Sequence, residues 1–130
     1  ASGVAPVSKY LDCGLHVGIA SDVAGGETVD LFRVMADALR DSKLRWRLLD
    51  QEVKPLSVDQ VFYLATLGGG RFFGKAGSFA PGYEFDAVVL DDTTLDHPQE
   101  LTLRARLERC IYLSDGRQVA AKYAAGRKIL

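Results

Sequence analysis

Long apolar runs are missing from this sequence. No stretch of its 130 residues approaches the roughly 20 consecutive apolar positions that a membrane-spanning helix needs. The first residues, Ala1-Ser2-Gly3-Val4, also lack the charged and apolar regions of a signal peptide. A cytoplasmic protein with no membrane partner is therefore the expectation. An excess of one charge is missing too: 16 basic residues face 17 acidic ones, giving a net charge of -1, and the basic positions are scattered along the chain. Nucleic acid is not the expected partner. Cysteine is scarce, and Cys13 and Cys110 stand far apart without CxxC or Cys/His spacing, which points to reduced core thiols, with a disulfide between them as the alternative. The only histidines, His16 and His97, are too few for a zinc site with three histidine ligands. Ser2, Ser8, Ser21 and Ser114 lack GxSxG surroundings, so no serine nucleophile is indicated.

What is present is enough for a globular core. The sequence is 48% apolar and 25% charged, which disfavours disorder, and its length suits one compact domain, or one domain and part of another. Val4, Val7, Tyr10 and Leu11 recur at helical spacing as far as Cys13, and Gly14 stands where a helix commonly stops. Leu15 to Ala20 is short and mostly apolar, the pattern of a strand buried on both faces of a parallel sheet. Thr28 is a candidate cap for an amphipathic helix carrying Val29, Phe32, Met35 and Leu39 to about Arg40. The helical pattern continues from Leu44 to Val53, and Pro55 ends it. Ser57-Val-Asp-Gln60 matches a capping box opening a helix over Val61 to Leu67, with Gly68-Gly-Gly70 closing it.

The composition changes between Phe73 and Phe79. Gly74, Gly77, Pro81 and Gly82 break up the chain, and a β-rich run follows from Phe85 to Leu90. Leu101 to Ile111 is helix-like, and Val119 to Tyr123 with Lys128 to Leu130 form a closing hairpin around Ala125-Gly126-Arg127. The expected division is α/β material over residues 1–74 and a small, mainly β module with one helix over residues 75–130.

Asp22 is the leading candidate for chemistry. It sits at the C-terminal mouth of the apolar segment, beside Ser21 and before Gly25-Gly26, where a carboxylate can ligate a metal or move a proton; a turn or cap role is equally open to it. His16 lies six residues earlier, about 20 Å away along an ideal strand, too far to share one ion. His97 precedes Pro98 in a charged loop and reads as solvated. Gly68-Gly-Gly-Arg71 lacks phosphate-loop spacing and follows a helix, so a helix C-cap is preferred. Trp46 between Arg45 and Arg47 reads as peripheral packing.

Three ordered motifs carry a resemblance: Asp22-Val-Ala-Gly-Gly26 after an apolar segment, Leu56-Ser-Val-Asp-Gln-Val-Phe-Tyr-Leu-Ala-Thr-Leu-Gly-Gly-Gly70, and Gly77-Ser-Phe-Ala-Pro-Gly-Tyr-Glu-Phe-Asp-Ala-Val-Val-Leu90. Together they resemble the C-terminal part of the guanine deaminases, within the metal-dependent amidohydrolase superfamily. The last two motifs are shared across that superfamily, and Val-Ala-Gly-Gly after the aspartate points to guanine deaminase. Ser21 stands where threonine is commoner.

The resemblance implies an α/β fold, the C-terminal end of a (β/α)8 barrel with its last strand and flanking helices, followed by part of a small β-sandwich subdomain. It implies that Asp22 is both the catalytic and the metal-binding residue, that zinc is the cofactor, and that a zinc-activated hydroxide attacks the amino-bearing carbon of guanine to give xanthine and ammonia. Ser21, Gly25 and Gly26 would shape the turn. The other ligands, the catalytic glutamate and the base-reading side chains lie upstream in that family. The expectation is thus a C-terminal fragment of a longer enzyme, inactive alone and partnered by the missing N-terminal part of the barrel and by further copies in a homo-oligomer. A deaminase of another aminopurine or of a triazine is one alternative. A noncatalytic interaction module, leaving an open apolar face around Val4, Val17, Ile19 and Phe32, is the other.

Overall fold

A computed structural model describes residues 3–130. Its elements are α1 (Val7–Asp12), α2 (Leu31–Leu48), α3 (Val58–Tyr63), β1 (Ala87–Leu90), α4 (Leu103–Leu113), β2 (Val119–Ala124) and β3 (Arg127–Lys128). A π-helical turn over Leu64–Gly68 and a 3-10 turn over Arg71–Phe73 prolong α3. Among the described residues no helix is long and apolar enough to cross a membrane.

The core is helical. Met35, Ala36 and Leu39 from α2 meet Val58 and Val61 from α3, Leu64 from the π turn and Ile111 from α4, all buried. Periodicity dictates this, since positions 35, 36 and 39 share one face of a 3.6-residue helix. Val17, Ile19 and Phe32 are half-buried against the same cluster. The expected open apolar face is therefore corrected at these three positions: they are drawn into the core.

Several helix boundaries differ from expectation for identifiable reasons. α2 runs unbroken from Leu31 to Leu48, and its cap is Asp30, whose Oδ1 accepts from the Phe32 N–H at 2.9 Å. Thr28, two residues before the cap, instead accepts from the Asp30 N–H at 3.0 Å. The capping box holds as read: Ser57 Oγ accepts from the Gln60 N–H and Gln60 Oε1 from the Ser57 N–H. Gly68-Gly-Gly70 does not close the helix, because Gly69 and Gly70 keep helical angles (φ -69° and -60°). The chain leaves helical geometry at Gly74, where φ reaches 103° and a side chain would be strained. Thr102 caps α4, which therefore starts and ends two residues later than expected.

The strand expected over Leu15 to Ala20 is corrected as well. The segment is extended, but it pairs with no strand among the described residues. A β-strand exists only through a neighbour's hydrogen bonds, and apolar patterning cannot supply one. Its contact is with the helical layer: the Ile19 N–H donates to the Leu64 carbonyl at 3.2 Å.

The sheet forms separately, in antiparallel order β1-β2-β3. Ala87 pairs with Tyr123, and the register shifts between Val89 and Leu90. β2 and β3 close through Ala125-Gly126, with φ of 48° and 77°, the two left-handed residues of a turn that matches strand twist. The hairpin expected from Val119 onward is thus observed, with β1 beginning two residues later than Phe85. Removing the capping box with Ser57→Ala is expected to lower unfolding stability by about 1 kcal/mol, measured by urea denaturation.

Candidate active site

The turn after the extended segment is built to display one carboxylate. Asp22 and Ala24 have φ of 51° and 74°, a left-handed backbone that aspartate tolerates better than most residues. The Asp22 carbonyl accepts from the Gly25 N–H at 2.8 Å and from the Gly26 N–H as well. Proximity requires glycine at position 26, and at position 25 it leaves the Asp22 carboxylate undisturbed. A Cβ on Gly25 would stand 2.5 Å from Asp22 Oδ2, and one on Gly26 would run into the Ser21 carbonyl. The Asp22 carboxylate is exposed, and no donor among the described residues reaches it. A surface depression lined by Val23, Ala24, Gly26, Glu27, Thr28 and Val29 lies beside the turn.

The rest of the candidate chemistry is not gathered around Asp22. No group of three or more His, Cys, Asp or Glu among the described residues is placed to hold a metal ion. His16 is exposed on the extended segment, and His97, read as solvated, is half-buried in its loop, where Nδ1 lies 3.2 Å from the Gln99 backbone nitrogen, which donates to it. Asp22 therefore fits as one oxygen donor to a metal, and these residues do not complete a site by themselves.

Gly68-Gly-Gly70 is neither an anion cradle nor a helix end. A Cβ on Gly68 would stand 2.5 Å from the Val17 carbonyl, and a Cβ on Gly18 would stand 2.7 Å from Gly69 Cα. Gly70 would meet the Ala76 carbonyl. Gly68 and Gly70 let neighbouring backbone lie directly on the helix. Sequence reasoning missed this contact, although three consecutive glycines persisting inside a helical pattern are a sign of close backbone approach.

Other groups are structural. Arg106 makes a two-point contact with Asp92, Nε to Oδ2 and Nη2 to Oδ1, both at 2.7 Å. Arg109 donates to the Leu95 and Asp96 carbonyls and so ties the loop after β1 to α4. Gln118, buried, links Thr94 to Ser114 and Asp115. The Asp92–Arg106 and Thr94–Gln118 partners lie 14 and 24 residues apart, beyond local patterning. Trp46 with Leu44, Arg47 and Pro55 lines a shallow apolar depression, in line with peripheral packing.

The hydrogen bonds from Arg106 hold the Asp92 carboxyl below its usual range. A carboxyl lowered on folding contributes stability that is fully present above its unfolded value, about 3.9, and is lost as pH falls through the lower folded value. Unfolding measured from neutral pH downward is expected to show a smaller acid-side loss in Asp92→Asn than in the parent chain. The cysteines also part company. Cys110 is buried, and burial pushes its thiol up, with the Asp92 charge adding to the effect. Cys13 is exposed, which corrects the expectation of two core thiols, and both are free. A thiol reagent under native conditions is expected to label Cys13 rapidly and Cys110 only on unfolding.

Comparison with known proteins is consistent with the three motifs. Residues 1–129 match the model of the Amidohydrolase family. The chain is similar to the guanine deaminase of Dictyostelium discoideum, 30% identical over 98% of this chain and 30% of that protein. Among solved structures it is similar to the guanine deaminase of C. acetobutylicum with guanine bound in the active site, at 45% identity and a TM-score of 0.91, covering 99% of this chain and 30% of that one. The E. coli guanine deaminase follows at 28% identity and a TM-score of 0.82, covering 99% and 31%. The chain thus spans about 30% of the length of the relatives it matches.

Proposed function

Because this chain belongs to the Amidohydrolase family, we propose that it supplies the C-terminal portion of a zinc-dependent guanine deaminase, which converts guanine and water to xanthine and ammonia. The observation that carries this reading is the TM-score of 0.91 at 45% identity to a guanine deaminase holding guanine. On this reading residues 1–74 belong to the end of a (β/α)8 barrel, and the extended Leu15 to Ala20 segment becomes its last strand once a neighbouring strand pairs with it. Residues 75–130 belong to the small β-sandwich subdomain.

Asp22 is then the catalytic and metal-binding residue of this portion. Its carboxylate is exposed, free of internal donors and held on a closed turn, so one Oδ can face a cation while the other takes up and passes on a proton. Bound zinc supplies Lewis acidity at such a site. The remaining ligands and the groups that read the base come from polypeptide outside this sequence, and the 130 residues alone are inactive. Support comes from the span of about 30% of the relatives and from the lack of a three-group cluster among the described residues. Phe72 and Phe73, 89% and 83% exposed, are apolar surface of the kind that the rest of the barrel or a second copy covers.

The test uses the full-length polypeptide that carries this sequence, with xanthine and ammonia formed from guanine as the readout. Asp22→Ala is expected to lower kcat by a factor on the order of 100 to 10,000, and the isolated 130-residue chain is expected to show no turnover. Full-length protein that leaves guanine untouched but hydrolyses another aminopurine would reassign the substrate. An Asp22→Ala variant with undiminished kcat would remove Asp22 from the chemistry.

A further inference from the structure

We propose that Gly18 is a positioning residue for Asp22, fixing how closely the Asp22 turn sits to the helical layer through backbone contact with Gly69. The proposal rests on the reading of Asp22 as a reacting group. A methyl group at Gly18 would stand 2.7 Å from Gly69 Cα and 3.0 Å from Gly69 N. Both are backbone atoms that cannot rotate away, so the extended segment itself would have to move. From the opposite side, a methyl group at Gly68 would stand 2.5 Å from the Val17 carbonyl. The extended segment is thus seated on the helix with no room for one added carbon on either side.

The seat lies close to the carboxylate. The Ile19 N–H is held by the Leu64 carbonyl at 3.2 Å, and the same carbonyl accepts from the Gly69 N–H across the π turn. Leu64 is fully buried, so this anchor belongs to the rigid part of the core. Only Ala20 and Ser21 separate Ile19 from Asp22, and beyond Asp22 the turn is closed by its own hydrogen bonds to Gly25 and Gly26. Little slack remains to absorb a shift of the segment before it reaches Asp22. A misplacement of about 1 Å in a reacting group can cost on the order of 100-fold in rate.

The contact is asymmetric, which makes it testable. A Cβ on Gly69 would point away from Gly18 and meet only the Leu64 carbonyl, at 3.4 Å, an ordinary van der Waals distance. The same glycine-to-alanine change on the two partners of one contact therefore predicts opposite results.

In the full-length polypeptide, Gly18→Ala is expected to lower kcat on guanine by about 100-fold, with KM close to the parent value. Its crystal structure is expected to show Asp22 displaced from the helical layer. Gly69→Ala is expected to keep parental kcat, KM and Asp22 position. If Gly18→Ala does not fold, Gly68→Ala, which presses the same segment from the helix side, should give the same split between kcat and KM. A Gly18→Ala protein with parental kcat, or with Asp22 unmoved, overturns the proposal, as does a Gly69→Ala protein that loses as much activity as Gly18→Ala. If the parent protein turns over no guanine, the functional reading fails by itself. The crystallographic comparison still decides the positioning claim, and an unmoved Asp22 refutes it.

Discussion

Direct backbone contact between an extended segment and a helix is the constraint on which the rest of this structure depends. Side chains normally hold such layers about 10 Å apart, but here Gly18 meets Gly69 with only main-chain atoms between them. On the helix side, Gly68 and Gly70 trade helix propensity for proximity, a cost of about 1 kcal/mol per residue relative to alanine. The π turn complements the arrangement. By shifting its hydrogen bonding from i+4 to i+5 it turns Leu64 into a carbonyl that serves both the helix and Ile19.

The polar turn follows from that apolar seat. Val17 and Ile19 reach the core formed by α2, α3 and α4, so the segment is held by alternate side chains as well as by its backbone. The chain then reverses through Asp22 to Gly26 and enters α2 under the Asp30 cap. Asp22 is therefore bounded on one side by a glycine-packed segment and on the other by a capped helix whose Met35, Ala36 and Leu39 fill the same core. A carboxylate presented in this way is held in place by its backbone and left free at its oxygens, as a group awaiting a cation or a proton requires. The Asp92–Arg106 and Gln118 contacts perform a separate task, joining the loop after β1 to α4 and to the start of the hairpin.

Much of this was legible in the residue order, and the misses share a cause. The capping box at Ser57 and Gln60, the one-sided pattern of α2 and the Ala125-Gly126 turn were readable because each is decided within a few neighbouring residues. Asp22 could be singled out from the apolar segment before it and the glycines after it. Leu15 to Ala20, expected as a paired strand, pairs with no strand among the described residues, because pairing depends on a neighbour that local patterning does not contain. Gly68-Gly-Gly70 was misread as a stop because glycine serves both chain reversal and close approach, and only the partner backbone, Val17 to Ile19 for Gly68 and Gly69, distinguishes the two. Exposed Cys13 and buried Cys110 look alike in sequence for the same reason, since burial is a property of the assembled layers.

On the proposed function, Asp22 is this chain's donor to the zinc centre of a guanine deaminase. The most direct measurement is anomalous diffraction at the zinc edge from crystals of the full-length polypeptide. A peak about 2.0–2.2 Å from an Asp22 Oδ atom is expected. A zinc peak elsewhere, with the Asp22 carboxylate solvated, would contradict it.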